Sequence, residues 1–158
     1  LLPVAEARER ILAGLSPGQA ETCHLAESMG RVLASDVAAR LSLPVEPVSA
    51  MDGYAARVAD CGSVGTTLTR IGESAAGRPW TGTLGAEQAV RIFTGAVIPD
   101  GADCIILQED VDASAEEDGA SVIIGEVPRE GRFIRPAGLD VKAGDIILAA
   151  GTVILARL

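Results

Sequence analysis

Short apolar segments separated by glycine or proline turns fill the chain from about residue 53 onward, and this spacing constrains the fold most strongly. Apolar segments of this length between turn residues are typical of β-strands, whereas a helix needs a longer periodic segment. We place strands near 53–58, 66–72, 88–94, 103–109, 121–127 and 145–155. With 18 glycines and 8 prolines among 158 residues, the chain is predicted to be mainly β with a minor α part, an α+β fold.

The first residues have helical periodicity instead. We expect an amphipathic helix from Pro3 to Leu15, because its apolar side chains recur on one face: Val4, Ile11, Leu12 and Leu15. Gly14 and the Ser-Pro-Gly segment at 16–18 end it. Nothing in the rest of the sequence identifies what packs against this apolar stripe. A second, short helical turn is expected over residues 25–30.

Composition and charge exclude several classes of protein. Apolar residues make up 48% of the chain but aromatic residues only 3%, so the core must be built from Val, Ile, Leu and Ala. The net charge of −9, from 22 acidic and 13 basic residues, disfavours nucleic-acid binding. No apolar run approaches the ~20 residues that span a bilayer. There is also no basic and apolar leader segment, so we expect a cytoplasmic protein with no membrane partner.

The cysteines and the single histidine give little sign of chemistry. Cys23, Cys61 and Cys104 are odd in number, widely spaced and contain no CxxC pair, which argues against a disulfide framework and a zinc site. Cys104 lies in an apolar run, where a buried and inert thiol is expected. His24 has no candidate catalytic partner, so we interpret it as structural or exposed.

Two polar sites are predicted at the ends of strands. Asp52 precedes Gly53 in a segment that follows two prolines, and we expect Gly53 to adopt a positive φ and turn the chain tightly. Thr94 and Gly95 follow the apolar strand at 88–94, where a hydroxyl and free N–H groups can hold an oxyanion. A plain strand-connecting turn remains the alternative at both positions.

Two further polar sites combine arginine with glycine. Arg135, Gly138 and Asp140 follow one another closely, and arginine is well suited to planar contacts with oxyanions. Arg78 lies in a second glycine loop at 75–79. Structural ion pairs use the same residue types, so the spacing alone does not distinguish an oxyanion-binding site from a structural ion pair. A divalent cation with an anionic substrate would suit such a set of carboxylates and arginines.

Several consecutive motifs resemble the molybdopterin molybdenumtransferase family, which includes the bacterial MoeA proteins and the gephyrin E domain. The similar segments are Ser49–Ala55 and Arg91–Asp103, followed in the same order by Ile134–Asp140 and Ala150–Thr152. The resemblance covers essentially the whole chain and corresponds to the amino-terminal region of those proteins. After Arg135 this sequence departs from the family pattern, since Pro136-Ala137 replaces residues that are often basic and Leu139 one that is commonly acidic.

The resemblance implies an activity and a set of site residues. Members insert molybdate into the dithiolene of adenylylated molybdopterin, release AMP and depend on a divalent cation such as Mg²⁺. The positions that match functional residues of the family are Asp52, Thr94, Arg135 and Asp140, with support from Gly53, Gly95 and Gly138. Metal ligands cannot be assigned among them.

The resemblance also implies how the chain is organised. We expect an N-terminal helix over 1–17, a mixed dimerisation lobe from 18–46 with 141–158, and a β lobe over 47–140 that carries the site. Family members are homodimers whose active site is shared between subunits. The pterin-binding domain of the family has no counterpart in the sequence. We therefore expect the chain to be the front part of a longer protein and, alone, to be inactive.

Two other functions remain as alternatives. One is a structural, dimerisation or protein-binding module without catalysis, which loss of the polar sites would favour. The other is an unrelated hydrolase with two catalytic aspartates, which requires Asp52 and Asp140 to face one cleft at roughly 5–10 Å.

Overall fold

The computed structural model describes residues 2–156, which form two compact units. The larger unit is Ala38–Asp145, and the smaller one joins the residues up to Val37 with those from Ile146 onward. The predicted assignment of 1–17, 18–46 with 141–158, and 47–140 to separate roles stays a prediction. Of the described residues, none belongs to a helix that is long and apolar enough to cross a membrane.

The larger unit is built on a six-stranded sheet. Its strands, in spatial order, are β6 (Cys104–Leu107), β3 (Gly53–Ala56), β5 (Gln88–Ile92), β4 (Thr67–Ser74), β8 (Ser121–Ile124) and β7 (Val111–Ala113). Only β4 and β5 run parallel, and every other pair is antiparallel. The mainly β prediction is confirmed, and five of the predicted strands match these positions.

Both faces of the central strands are buried. Along β3 the side chains alternate, so that Tyr54 and Ala56 enter one apolar cluster while Ala55 enters another. The first cluster also contains Leu68 and Ile106, and its aliphatic character confirms the core expected from a chain with few aromatic residues. Because neither face of β3 contacts solvent, the residues at its start are held by a rigid element.

Two-stranded pairings complete the sheets. β2 (Val48–Ser49) pairs with β9 (Ile134–Arg135), and β1 (Val37–Ala38) pairs with β10 (Ile146–Leu148). Of the strands outside the predicted ranges, β2 and β9 have only two residues each, and β7 carries the exposed Asp112 in a segment whose acidic composition is typical of a loop. The predicted strand at 145–155 is shorter than expected and continues only as a single bridge at Val153.

The smaller unit begins with α1 (Val4–Ala13), close to the predicted bounds. Pro3 is its N-cap and Gly14 its C-cap, so the helix ends two residues before Leu15. None of its residues is buried, and Val4, Ile11 and Leu12 are 86%, 67% and 55% exposed. A short 3₁₀ turn over Leu25–Glu27 and Gly30, at φ 78°, confirm the predicted helical turn.

Candidate functional site

The turn that presents Asp52 is built by the side chain of Ser49. Ser49 is buried, its Oγ donates to the Met51 carbonyl at 2.6 Å, and the Met51 N–H is 3.3 Å from the same Oγ. A serine hydroxyl that closes a turn on its own following backbone is a common local motif. The signal in the sequence is a serine three residues before the aspartate, a pattern common enough in turns to pass without notice.

Gly53 does not turn the chain, and the expectation of a positive φ at this residue is wrong. It is the first residue of β3, pairs with Ile92 and Leu107, and has no positive φ. A Cβ at this position would lie 1.9 Å from the Ile106 carbonyl oxygen. Glycine is therefore required because β6 passes so close to the backbone, a tertiary reason that the Asp-Gly dipeptide does not reveal.

Asp52 and Thr94 form a hydrogen-bonded pair. The Thr94 N–H and hydroxyl both donate to Asp52 Oδ1, at 2.7 and 2.8 Å. These two bonds, first the backbone one and then the hydroxyl one, hold the pKa of the Asp52 carboxyl below its usual value. The positive charge of Arg91 lowers that pKa further, while partial desolvation opposes it. Asp52 is thus held as an anion whose Oδ2 receives no hydrogen bond from the described residues.

The Thr94 turn is fastened to the Asp52 turn through the backbone. Gly95 has φ 81° and its N–H donates to the Ser49 carbonyl at 2.8 Å, while the Ser49 N–H donates to the Ala96 carbonyl at 2.9 Å. Here the positive φ that glycine permits is required. Ser49 therefore fixes both the turn that carries Asp52 and the turn that carries its partner.

Arg135 and Asp140 form a second pair within the larger unit. Nη2 of Arg135 donates to both carboxylate oxygens of Asp140, each at 2.7 Å. The side chains are 40% and 55% exposed. Gly138, at φ 69°, turns the loop between them and donates to the Pro44 carbonyl. Both contacts use Nη2, and the N–H groups on Nε and Nη1 of Arg135 have no hydrogen-bond acceptor among residues 2–156.

Strand β2 connects the two pairs. Val48 lies opposite Arg135 on one side and opposite Val97 on the other, and the Ala50 N–H donates to the Phe133 carbonyl at 2.8 Å. The Thr94 turn therefore lies on one side of β2 and Arg135 on the other, while the chain continues from β2 into Asp52. Asp140 is occupied by Arg135, so nothing in this arrangement supports a hydrolase with two free aspartates.

Phe133 is a residue that sequence reasoning missed. Its φ is 59°, in the left-handed region that large side chains rarely adopt. The residue is half-buried against the second apolar cluster, and the Arg132 guanidinium lies 4.7 Å from its ring centroid. Such backbone strain just before Arg135 is typical of segments whose geometry is tied to function. A phenylalanine gives no sequence signal for it.

The Arg78 loop borders the Thr94 turn. Gly77 has φ 76°, and Ala76 lies 4.0 Å from the position that a Cβ on Gly95 would take. Arg78 itself is largely exposed and pairs with Glu73 at 3.1 Å. Its guanidinium is thus engaged in a surface ion pair, the structural alternative that the sequence left open.

The remaining titratable groups behave as predicted or add nothing to the site. Cys104 is buried in the first apolar cluster together with Cys61, and the hydrogen bond with Cys61 and burial raise its pKa, as expected for an inert thiol. His24 is exposed. Across the described part of the chain, no cluster of three or more His, Cys, Asp or Glu side chains is arranged to hold a metal.

Comparison with known proteins identifies the family. The sequence model described as "MoeA N-terminal region (domain I and II)" matches residues 2–157. The chain is 40% identical over 152 residues to a molybdopterin molybdenumtransferase of Haemophilus influenzae, covering 96% of this chain and 37% of that protein. The corresponding enzyme of Bacillus subtilis is 32% identical over 155 residues, with 96% and 36% covered.

Solved structures agree with this. A molybdopterin biosynthesis moeA protein from Pyrococcus horikoshii superposes with a TM-score of 0.81 at 27% identity, over 99% of this chain and 40% of that one. A second structure from the same organism gives a TM-score of 0.77 at 32% identity, over 87% and 36%. The chain thus spans well under half the length of these relatives. By its sequence, its fold and the order of its motifs, it belongs to the family of MoeA N-terminal regions.

Proposed function

We propose that the chain is the N-terminal region of a molybdopterin molybdenumtransferase of the cytoplasm, an enzyme of molybdenum cofactor biosynthesis. In this proposal the whole protein inserts molybdate into adenylylated molybdopterin and releases AMP. The observation that carries it is the Asp52–Thr94 pair, an anion held on a rigid sheet in a chain whose whole described length matches the family.

Asp52 is proposed to act on the substrate through Oδ2. Because Thr94 occupies Oδ1 with two donors, the free oxygen has a fixed position and a low affinity for protons. It can accept a hydrogen bond from a substrate N–H or O–H, or hold a hydrated cation. In this role Thr94 orients Asp52, since both of its donors are already used, which refines the oxyanion contact expected from the sequence.

Arg135 is proposed to bind an anionic oxygen of the substrate. The N–H groups on its Nε and Nη1 remain available, and each can donate a charge-assisted hydrogen bond to a phosphate or molybdate oxygen. Asp140 neutralises and orients the other nitrogen. A substrate oxyanion would therefore be bound by Arg135 without first breaking the ion pair.

The described residues could supply only part of the coordination shell of a Mg²⁺ ion, with water and the substrate supplying the rest. Mg²⁺ is commonly held by one or two carboxylates together with water and substrate phosphates, and Asp52 offers one free carboxylate oxygen. We propose that Asp52 would contribute this oxygen. A bound Mg²⁺ would neutralise negative charge on the phosphates of the substrate.

We further propose that the whole protein is a homodimer with a shared active site, and that residues 1–158 alone are inactive. The exposed apolar face of α1 supports this, since Val4, Ile11 and Leu12 have no partner among the residues described. The same face would suit the alternative of a binding module without catalysis. The two functions differ in what substitution of the polar sites should do.

The test is complementation of a strain deficient in molybdenum cofactor synthesis. The full-length protein, meaning this chain followed by the region that its relatives have in addition, should restore the cofactor, and residues 1–158 should not. D52A and D140A should abolish or strongly reduce rescue, while D112A on exposed β7 serves as the matched control and should rescue fully. Full rescue by both site variants would support the binding module and contradict the proposal.

A further inference from the structure

Arg91 makes contacts that the proposed reaction does not yet use. It lies on β5 opposite Tyr54 of β3, and its guanidinium is 5.3 Å from the centroid of the Tyr54 ring and 4.6 Å from that of Phe93. Flat guanidinium groups are held well by aromatic rings, which fix their plane. The side chain is therefore oriented by packing before any hydrogen bond is considered.

One terminal nitrogen of Arg91 binds the backbone next to Asp52, and the other binds a side chain. Nη1 donates to the Gly53 carbonyl at 2.9 Å, and Nη2 donates to Oε1 of Gln108 at 2.7 Å. The Gln108 N–H in turn donates to the Asp52 carbonyl at 3.2 Å. The Gly53 carbonyl is thus held by Arg91 itself, and the Asp52 carbonyl is held by the backbone of the residue whose side chain Arg91 binds.

The other side of Asp52 is already held by Thr94. Its two bonds restrain the carboxylate but do not involve the carbonyls of Asp52 and Gly53. A side chain that is to present Oδ2 in a fixed position needs its backbone restrained as well. Arg91 and Gln108 supply that second restraint from β5 and from the residue that follows β6.

We propose that Arg91 is a positioning residue that, with Gln108, fixes the backbone of Asp52 and thereby the direction of its free carboxylate oxygen. The inference deepens the proposed function and rests on it for its catalytic meaning. The restraint itself is a property of residues 38–145 and can be tested without the reaction. Lysine cannot replace arginine here, because one ammonium cannot reach two acceptors that the planar fork holds apart.

The test is amide hydrogen exchange on the 158-residue chain, comparing wild type, R91K and the matched surface control R78K. Exchange should quicken about tenfold at the N–H groups of Thr94 and Gln108 in R91K, because both bond to Asp52. The N–H of Ile124, which bonds to the Thr66 carbonyl at 2.9 Å far along the sheet, should be unchanged. R78K should leave all three rates within about twofold.

Two outcomes would overturn the proposal. Rates at Thr94 and Gln108 within about twofold of wild type in R91K would show that no restraint exists. An equal increase at Ile124 would show that Arg91 only stabilises the sheet. Q108L gives a second test that keeps Arg91: it should quicken exchange at residue 108 more than at Thr94, and equal rates to wild type at both would contradict the role of Gln108.

The catalytic meaning has its own readout. In the full-length protein, R91K should lower kcat about tenfold with little change in KM, and this loss should disappear in the D52N background. A loss that persists in D52N would show that Arg91 does not act through Asp52. If exchange changes as expected while full-length D52N is fully active, the proposed function fails and the restraint of Asp52 stands.

Discussion

The two aspartates of the site are held in opposite ways. Asp52 sits at the start of a strand buried on both faces and is bound by the neutral donors of Thr94, so its charge stays uncompensated by an ion pair. Asp140 lies on an exposed loop, where Arg135 neutralises it. The difference shows how one chain presents Asp52 as an anion in a fixed position and Arg135 as a cation that is partly exposed to solvent.

An added methyl group should reduce the free energy of unfolding far more next to Asp52 than next to Asp140. G53A places a Cβ 1.9 Å from the Ile106 carbonyl oxygen, so β3 and β6 must separate, and we expect a loss of about 3 kcal/mol in the free energy of unfolding. A Cβ in G138A would lie 3.0 Å from the Lys142 side chain and 3.6 Å from that of Ser42, at a φ of 69°, which should cost about 1 kcal/mol. Urea unfolding of the 158-residue chain measures both, and equal losses would contradict the contrast.

Substitution of Thr94 should reduce the free energy of unfolding less than G53A does, and this reduction should depend on pH. T94V removes the hydroxyl bond to Asp52 and should cost about 1 kcal/mol at pH 7. Because the folded pKa of Asp52 is lowered, its stabilisation is present above the ordinary carboxyl value and is lost as the pH falls through the folded pKa.

The comparison is urea unfolding at pH 7 and again at a pH below the lowered pKa of folded Asp52. The gap between wild type and T94V should shrink at the lower pH as Asp52 becomes protonated. T69V, on the exposed face of β4, is the matched control and should show no such change. A gap that is constant with pH would mean that Thr94 stabilises the fold without acting on the Asp52 charge.

The exposed ion pair between Arg135 and Asp140 should contribute little to the free energy of unfolding. R135A breaks an ion pair between side chains that are 40% and 55% exposed, and we expect a loss of about 0.5 kcal/mol or less, as for R78A at the surface pair with Glu73. Urea unfolding again measures both variants. A loss above about 2 kcal/mol in R135A would show that this loop is structural.

The sequence predicted much of this contrast but not its cause. Apolar runs between glycines marked the strands, and the motifs around Asp52 and Thr94 marked the residues that the structure joins. The predicted positive φ at Gly53 is wrong because glycine is required there by the close approach of Ile106, which belongs to a strand more than fifty residues later. Arg91 lies within one of the family motifs, but its pairing with Gln108 depends on the order of strands β3, β5 and β6, which the sequence does not show. Phe133 carried no signal, since its strain depends on hydrogen bonds from another segment.

The most direct measurement of the central claim is the rate of AMP release by the full-length protein, with molybdate and adenylylated molybdopterin, in wild type, D52N and D140N. The fixed anion at Asp52 should be needed in the reaction, so D52N should lower kcat about 100-fold. D140N should mainly raise KM, because Arg135 keeps its free N–H donors but loses its charged orienting partner. A D52N enzyme that keeps more than about half of the wild-type kcat would contradict the account.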